Sequence, residues 1–191
     1  MFEMTQQIQK ITIAFLLFIL ITSFKSDKEK YPPRDTFPTP SGIENMLFYI
    51  QRAKDYNTII YQLNIDENGD LDEENPINPY WIKYTDEKKE TPLTMIQQKF
   101  AYGLKIKLVD EENKIYQFNF VSYKKKSFYL KKDKKDNKYH VYGKINEKLA
   151  ELDNIFINIQ GGTFWFPKIE YVAINATCVK SNKALVEKIT P

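Results

Sequence analysis

From residue 46 onward most apolar residues recur at every second position, the spacing at which side chains of an extended chain share one face. Leu47-Phe48-Tyr49-Ile50 opens the series. Residues 58–65 place Ile59, Tyr61, Leu63 and Ile65 on one face, and Tyr80-Trp81-Ile82-Lys83-Tyr84 makes a short third strand. Leu104, Ile106 and Leu108 alternate with Lys105 and Lys107; Tyr116, Phe118 and Phe120 alternate with Gln117 and Asn119. Residues 127–131 and 138–145 read the same way. Ile155, Ile157 and Ile159 oppose Phe156, Asn158 and Gln160, and residues 168–179 close the series. About nine short strands separated by turn signals predict a mainly β domain, built as a single antiparallel β-sandwich or up-and-down barrel.

One segment breaks the period. Thr91-Pro92 reads as a helix start, with Thr as N-cap and Pro at the first helical position. Leu93, Ile96 and Phe100 then follow at helical spacing and Gly103 supplies the stop, so one short helix is expected to pack over a face or end of the sheet.

The chain before this body is different. Residues 11–24, ITIAFLLFILITSF, are uncharged and mostly apolar, between Lys10 and Lys25. As a helix they reach about 21 Å, short of a hydrocarbon core of about 30 Å and suited to the apolar core of an export signal. Residues 1–26 are therefore expected to be a cleaved export signal or an uncleaved anchor, and the protein to be exported to the periplasm or envelope. Residues 27–45, rich in proline over 27–42, read as an extended linker. Residues 46–191 form the single β domain.

Composition narrows the chemistry. Twenty-eight basic against 25 acidic residues leave a formal charge of only +3, too balanced for whole-protein attraction to nucleic acid or membrane. A mean hydropathy of −0.51 excludes a polytopic membrane protein. The single cysteine, Cys178, rules out an intrachain disulfide and multi-thiolate metal sites. His140 is the only histidine, so any Ser-His-Asp or Cys-His arrangement would have to use it; its setting, Tyr139-His140-Val141-Tyr142, reads as a half-exposed strand. No glycine-rich phosphate loop or nucleophile elbow is present, and no cofactor is called for.

Four features remain that could carry chemistry. Asp66, Asn68, Asp70 and Asp72 have the spacing of a calcium-binding loop, but Leu71 stands where the loop needs glycine and Ile77 where it needs glutamate. Asn68-Gly69 equally reads as an acidic hairpin tip. Residues 124–138 hold eight lysines around Phe128 and Tyr129; they read as a solvated hairpin protecting an edge, with anionic glycan or lipid headgroups the targets if the patch binds. In Phe164-Trp165-Phe166 three consecutive aromatics must point to both faces, so either both faces are buried or one presents aromatics to a ligand or membrane. Arg52, the only arginine of the body, suggests a role lysine cannot fill: a bidentate carboxylate pair or a position stacked on an aromatic ring.

Leu47–Arg52 (LFYIQR), Asn57–Tyr61 (NTIIY), Asn75–Ile82 (NPINPYWI), residues 97–103 (QQKFAYG) and 161–171 (GGTFWFPKIEY) occur in that order. Together they resemble an exported bacterial family catalogued as domain of unknown function 4833, over about residues 46–178. The resemblance implies a bacterial envelope setting, mostly in the Bacteroidetes, and supplies no activity, cofactor or catalytic residue. The functional expectation therefore rests on the residues: a non-enzymatic domain that binds a small amphipathic ligand or an envelope partner protein, with Arg52 meeting an anionic group and Tyr80, Trp81, Tyr102 and Trp165 supplying contact area. No nucleic acid partner is expected, and membrane contact only through an uncleaved N-terminal segment. The alternatives are a glycan-active hydrolase, for which Glu170 is the best-placed carboxylate, and a purely structural envelope component.

Overall fold

The computed structural model of the chain describes residues 34–163 and 166–191. The expected export segment, residues 1–26, and Trp165 lie outside them. Eleven strands run in chain order through the described residues: β1 (Met46–Arg52), β2 (Asp55–Leu63), β3 (Ile77–Lys83), β4 (Lys89–Pro92), β5 (Leu104–Asp110), β6 (Ile115–Phe120), β7 (Tyr123–Lys132), β8 (Tyr139–Ile145), β9 (Lys148–Gly162), β10 (Pro167–Cys178) and β11 (Ala184–Ile189). The domain is mainly β, as the alternation predicts. β4 and β11 are the two strands that the alternation does not reveal.

The sheet is mixed, which corrects the expectation of an all-antiparallel sandwich or barrel. Strand order is β4-β3-β2-β1-β9-β8-β7-β6-β5, with β10 and β11 on the other edge of β9. The 15-residue β9 is the axis of this arrangement. Its first half pairs antiparallel with β8, while Asn154–Ile157 pair parallel with Tyr49–Arg52 of β1. One long strand thus holds two antiparallel wings end to end along a single edge, and the sheet curls into a half-barrel. Parallel pairing needs a long crossover, here the whole of residues 53–153, and short-range alternation carries no sign of it.

The curl brings the two wings face to face. Phe48 of β1 stacks on Tyr61 of β2 at 4.3 Å between ring centres and faces Phe118 of β6 at 6.1 Å; Phe118 stacks in turn on Phe128 of β7 at 5.6 Å. Phe120 meets Phe48, Tyr61, Phe118 and Phe128 edge-on. Offset stacks and edge contacts are the geometries aromatic rings prefer, so this aromatic layer holds the wings together. Ile59, Tyr61 and Leu63 enter it from β2, as their alternation predicts, while Ile60 points to the opposite face with Tyr80 and Ile82.

The segment read as a linker contributes to packing. Residues Arg34–Thr36 form a short 3-10 turn, and Phe37 is buried against Tyr56 and Phe156 on the face of β9 opposite the aromatic layer. The Gln51 amide nitrogen donates to Pro38 O at 2.9 Å.

The helix begins later than its first signal. Thr91-Pro92 belongs to the edge strand β4, where proline's missing N–H faces no partner strand. The short helix α1 (Met95–Gln97) is capped by Thr94: its Oγ1 accepts from Gln97 N–H, and Gln97 Oε1 accepts from Thr94 N–H. This reciprocal pair satisfies two end donors and outcompetes Thr91 as a start. A wider π-type turn, residues Gln98–Tyr102, continues it to Gly103. Leu93 is buried, but Ile96 and Phe100 point to solvent, so the helix does not pack its apolar stripe over the sheet as expected. No helix among the described residues is long and apolar enough to cross a membrane.

Candidate functional site

The open side of the half-barrel holds a cavity of about 950 Å³. That lies at the upper end of the roughly 300–1,000 Å³ range of small-molecule pockets. Its floor is the aromatic layer, through Phe120 and Phe128, and the inward face of β9 and β10, through Ile155, Ile157, Ile159 and Ile174. The period-two run at Ile155, Ile157 and Ile159 therefore lines a wall.

Arg52 ends β1 in that wall. Its Nη2 donates to Asp55 Oδ2 at 2.7 Å and its Nη1 to Tyr102 Oη at 3.1 Å. The guanidinium also lies over the Trp81 ring, 4.7 Å from its centre, and 5.9 Å from that of Tyr102. Both roles that distinguish arginine from lysine, the directed fork and the stack, are used at once. The Arg52 Nε is buried and has no hydrogen-bond partner among the described residues. A buried, unsatisfied donor costs on the order of 1–3 kcal/mol, so the position is held by its surroundings rather than by its own bonds alone.

Those surroundings are supplied by the helical turn. Tyr61, on β2, donates its hydroxyl to Tyr102 O at 2.7 Å, Ser122 Oγ donates to Ala101 O at 2.7 Å, and Trp81 Nε1 donates to Gln97 Oε1 at 3.3 Å. Complete burial pushes the Tyr61 hydroxyl well above its ordinary value, so it stays a donor. Residues 95–102 are thus clamped against the end of the sheet, with Tyr102 and Gln97 facing the cavity.

Of the five residues singled out in the sequence, three converge. Arg52 and Tyr102 line the cavity; Trp81 is buried outside its wall and reaches it through both of them. Tyr80 does not join them: as the neighbour of Trp81 on a strand it faces the other way, among Ile60 and Ile82. Trp165 lies outside the described residues; the adjoining Phe166 is exposed and lines the cavity. Lys54, Val172 and Ile169 also line it, and no pattern in the sequence distinguishes them from other strand and turn residues.

The acidic loop turns inward on its own backbone. Asp66 Oδ1 accepts from the N–H groups of Asn68 and Asp70, and Asp72 Oδ1 from those of Glu74 and Asn75. Backbone N–H of Asp70 is the main reason the Asp66 carboxyl sits below its usual value. Among the described residues no three His, Cys, Asp or Glu side chains stand close enough to share a metal ion. Glu170 accepts from the Asn158 amide on the exposed strand surface.

His140 occupies a second polar cluster, on the hairpin of β7 and β8. Its Nδ1 lies 2.6 Å from Glu151 Oε1 and its Nε2 2.8 Å from Asp136 Oδ2. Burial favours the neutral ring, but the two carboxylates outweigh it and raise the imidazole above its ordinary 6.5. Beside it Tyr142 donates to Asp133 Oδ2 at 2.7 Å; burial first and this bond second push the phenol far above its usual range.

No curated protein and no solved structure matches the chain. A family model described as domain of unknown function (DUF4833) matches residues 48–188, from within β1 to within β11, and takes in the cavity-lining residues other than Ile189 and Pro191. The chain belongs to the DUF4833 family.

Proposed function

We propose that this domain binds a small amphipathic molecule, with an apolar body in the half-barrel cavity and an anionic group directed to Arg52. The observation that carries the reading is the cavity itself: about 950 Å³, walled by isoleucines and phenylalanines, with Arg52 and Lys54 among its polar lining and no acidic side chain among the described residues that line it. Each methylene buried there contributes about 0.8 kcal/mol, so a medium-length acyl chain supplies enough to bind without a single catalytic group. Arg52 adds orientation, because its planar fork is already immobilised by Trp81, Asp55 and Tyr102. The apolar segment at residues 11–24 supports an exported or envelope-associated setting for this binding.

The test is mass spectrometry of the full chain purified gently from its host, under native and then denaturing conditions, followed by titration with a fluorescent long-chain carboxylate. A mass that is lost on denaturation, or saturable enhancement of the probe, is the expected result. A bare mass together with no probe response overturns the reading.

A further inference from the structure

We propose that the mouth of the cavity docks on an anionic phospholipid bilayer. The lining residues that reach solvent mark where the cavity opens: Ile96 and Phe100 on the helical turn, Tyr123 at the start of β7, and Phe166 before β10. Ile96 and Tyr123 are partly covered, at 49% and 38% exposed, and the others stand further out. Phe166 is 82% exposed and Phe100 66%, and Met95, in the same turn as Ile96, is 81%. Large apolar groups gathered at one opening need a cover, and a monomer surface seldom leaves such a patch without a use.

Charge says what the cover is. The described residues around the opening fall in four stretches: 52–55, 95–102, 122–126, and 163 with 166–168. They contain Arg52, Lys54, Lys99, Lys168 and the run Lys124–Lys126, seven basic residues, against the single acid Asp55; Asp55 pairs with Arg52, and Lys126 pairs with Glu187 of β11 at 2.6 Å. The whole chain carries only +3, so positive charge is concentrated around the opening. Exposed Phe, Met and Ile side chains ringed by lysines match a surface of anionic headgroups over acyl chains: the apolar groups enter the boundary and the lysines stay at the headgroups. Neither the apolar tips nor the charge requires the cavity to hold a ligand. Exchange of an amphiphile between bilayer and cavity would follow from the ligand reading and the docking together.

Hydrogen exchange of the full chain, measured with vesicles of phosphatidylcholine alone and with added phosphatidylglycerol, reads this face separately from the N-terminal segment. Slower exchange at residues 95–102 with phosphatidylglycerol, reversed by salt, is expected. The double variant Met95→Asp, Lys99→Glu changes two exposed side chains outside the cavity wall; it should need roughly tenfold more anionic lipid for the same protection. Unchanged exchange at residues 95–102, or equal protection of the variant, overturns the docking. So does a concentration-dependent dimer that protects this segment without lipid. Titration with the fluorescent carboxylate in the absence of vesicles keeps the two readings apart: probe binding without vesicle protection ends the docking alone, and vesicle protection with a bare mass and no probe binding ends the ligand reading alone.

Discussion

The guanidinium of Arg52 lies 4.7 Å from the centre of the Trp81 ring, although β2 separates the strands that carry them. The two meet because Arg52 sits at the end of β1, where its side chain can cross the strand between. Asp55, at the start of β2, then closes the ion pair at 2.7 Å from three residues away. This cation, fixed on an indole at the wall of an apolar cavity, is the element on which the ligand reading turns.

Arg52→Gln should weaken binding of a long-chain carboxylate about tenfold or more, the equivalent of one charged hydrogen bond. Arg52→Lys should recover little of it, because an ammonium reproduces neither the fork to Asp55 and Tyr102 nor the stack on Trp81. Titration of both variants with the same probe checks this; full affinity in Arg52→Gln would remove Arg52 from the site.

Val172→Trp places an indole in the cavity from β10, where Val172 is a half-buried lining residue. The expected outcome is loss of probe binding with a melting temperature within a few degrees of the parent, since the space exists to receive the ring. Retained binding would show that the ligand lies elsewhere.

Phe118 is fully buried and in ring contact with Phe48, Phe120 and Phe128. Phe118→Ala should lower stability by about 3–5 kcal/mol, read from denaturant unfolding, because it removes one of the rings that join the two wings and leaves a void.

The His140 cluster should make the β7–β8 hairpin pH-dependent. The imidazole is raised above 6.5, so its stabilisation is complete below that value and is lost as pH rises through the folded value. Asp136 is held below 3.8, by the Lys138 N–H first and His140 second, so its contribution is present above 3.8 and lost as pH falls through the folded value. Protection from hydrogen exchange at residues 132–140, taken relative to the intrinsic rate at each pH, should therefore be greatest between these limits. His140→Gln should flatten the upper arm; an unaltered upper arm would assign it to another group.

Gly162 has φ +82°, and a Cβ there would stand 2.2 Å from Phe166 O. Gly162→Ala should open the turn that Thr163 N–H closes on Phe166 O, and raise hydrogen exchange at Thr163 without a large change in global unfolding.

Much of the core was legible along the chain. In β6 the buried face is the alternating set Tyr116-Phe118-Phe120, which a one-residue slip would turn outward, while β2 carries Ile59-Tyr61-Leu63 on one buried face and Thr58 and Ile60 on the other. The edge strands were not. β4 is four residues long with no buried side chain, and in β11 none is fully buried, so neither shows a core-facing pattern. The helix start misled for a local reason: Thr91-Pro92 satisfies the sequence rule for a cap, but only the Thr94–Gln97 exchange closes it.

The sequence by itself determined a mainly β domain, the inward faces of its longer strands, and the chemical distinctness of Arg52, since period, composition and side-chain type are local properties. Tertiary structure alone decided that β9 joins β1 in parallel across a crossover of a hundred residues. It also decided that Trp81 and Tyr102 meet Arg52 while Tyr80 turns away, and that two wings enclose a cavity between them. The reason is that alternation says which face a side chain takes but not which distant strand lies opposite, and that choice is made by packing the aromatic layer as a whole.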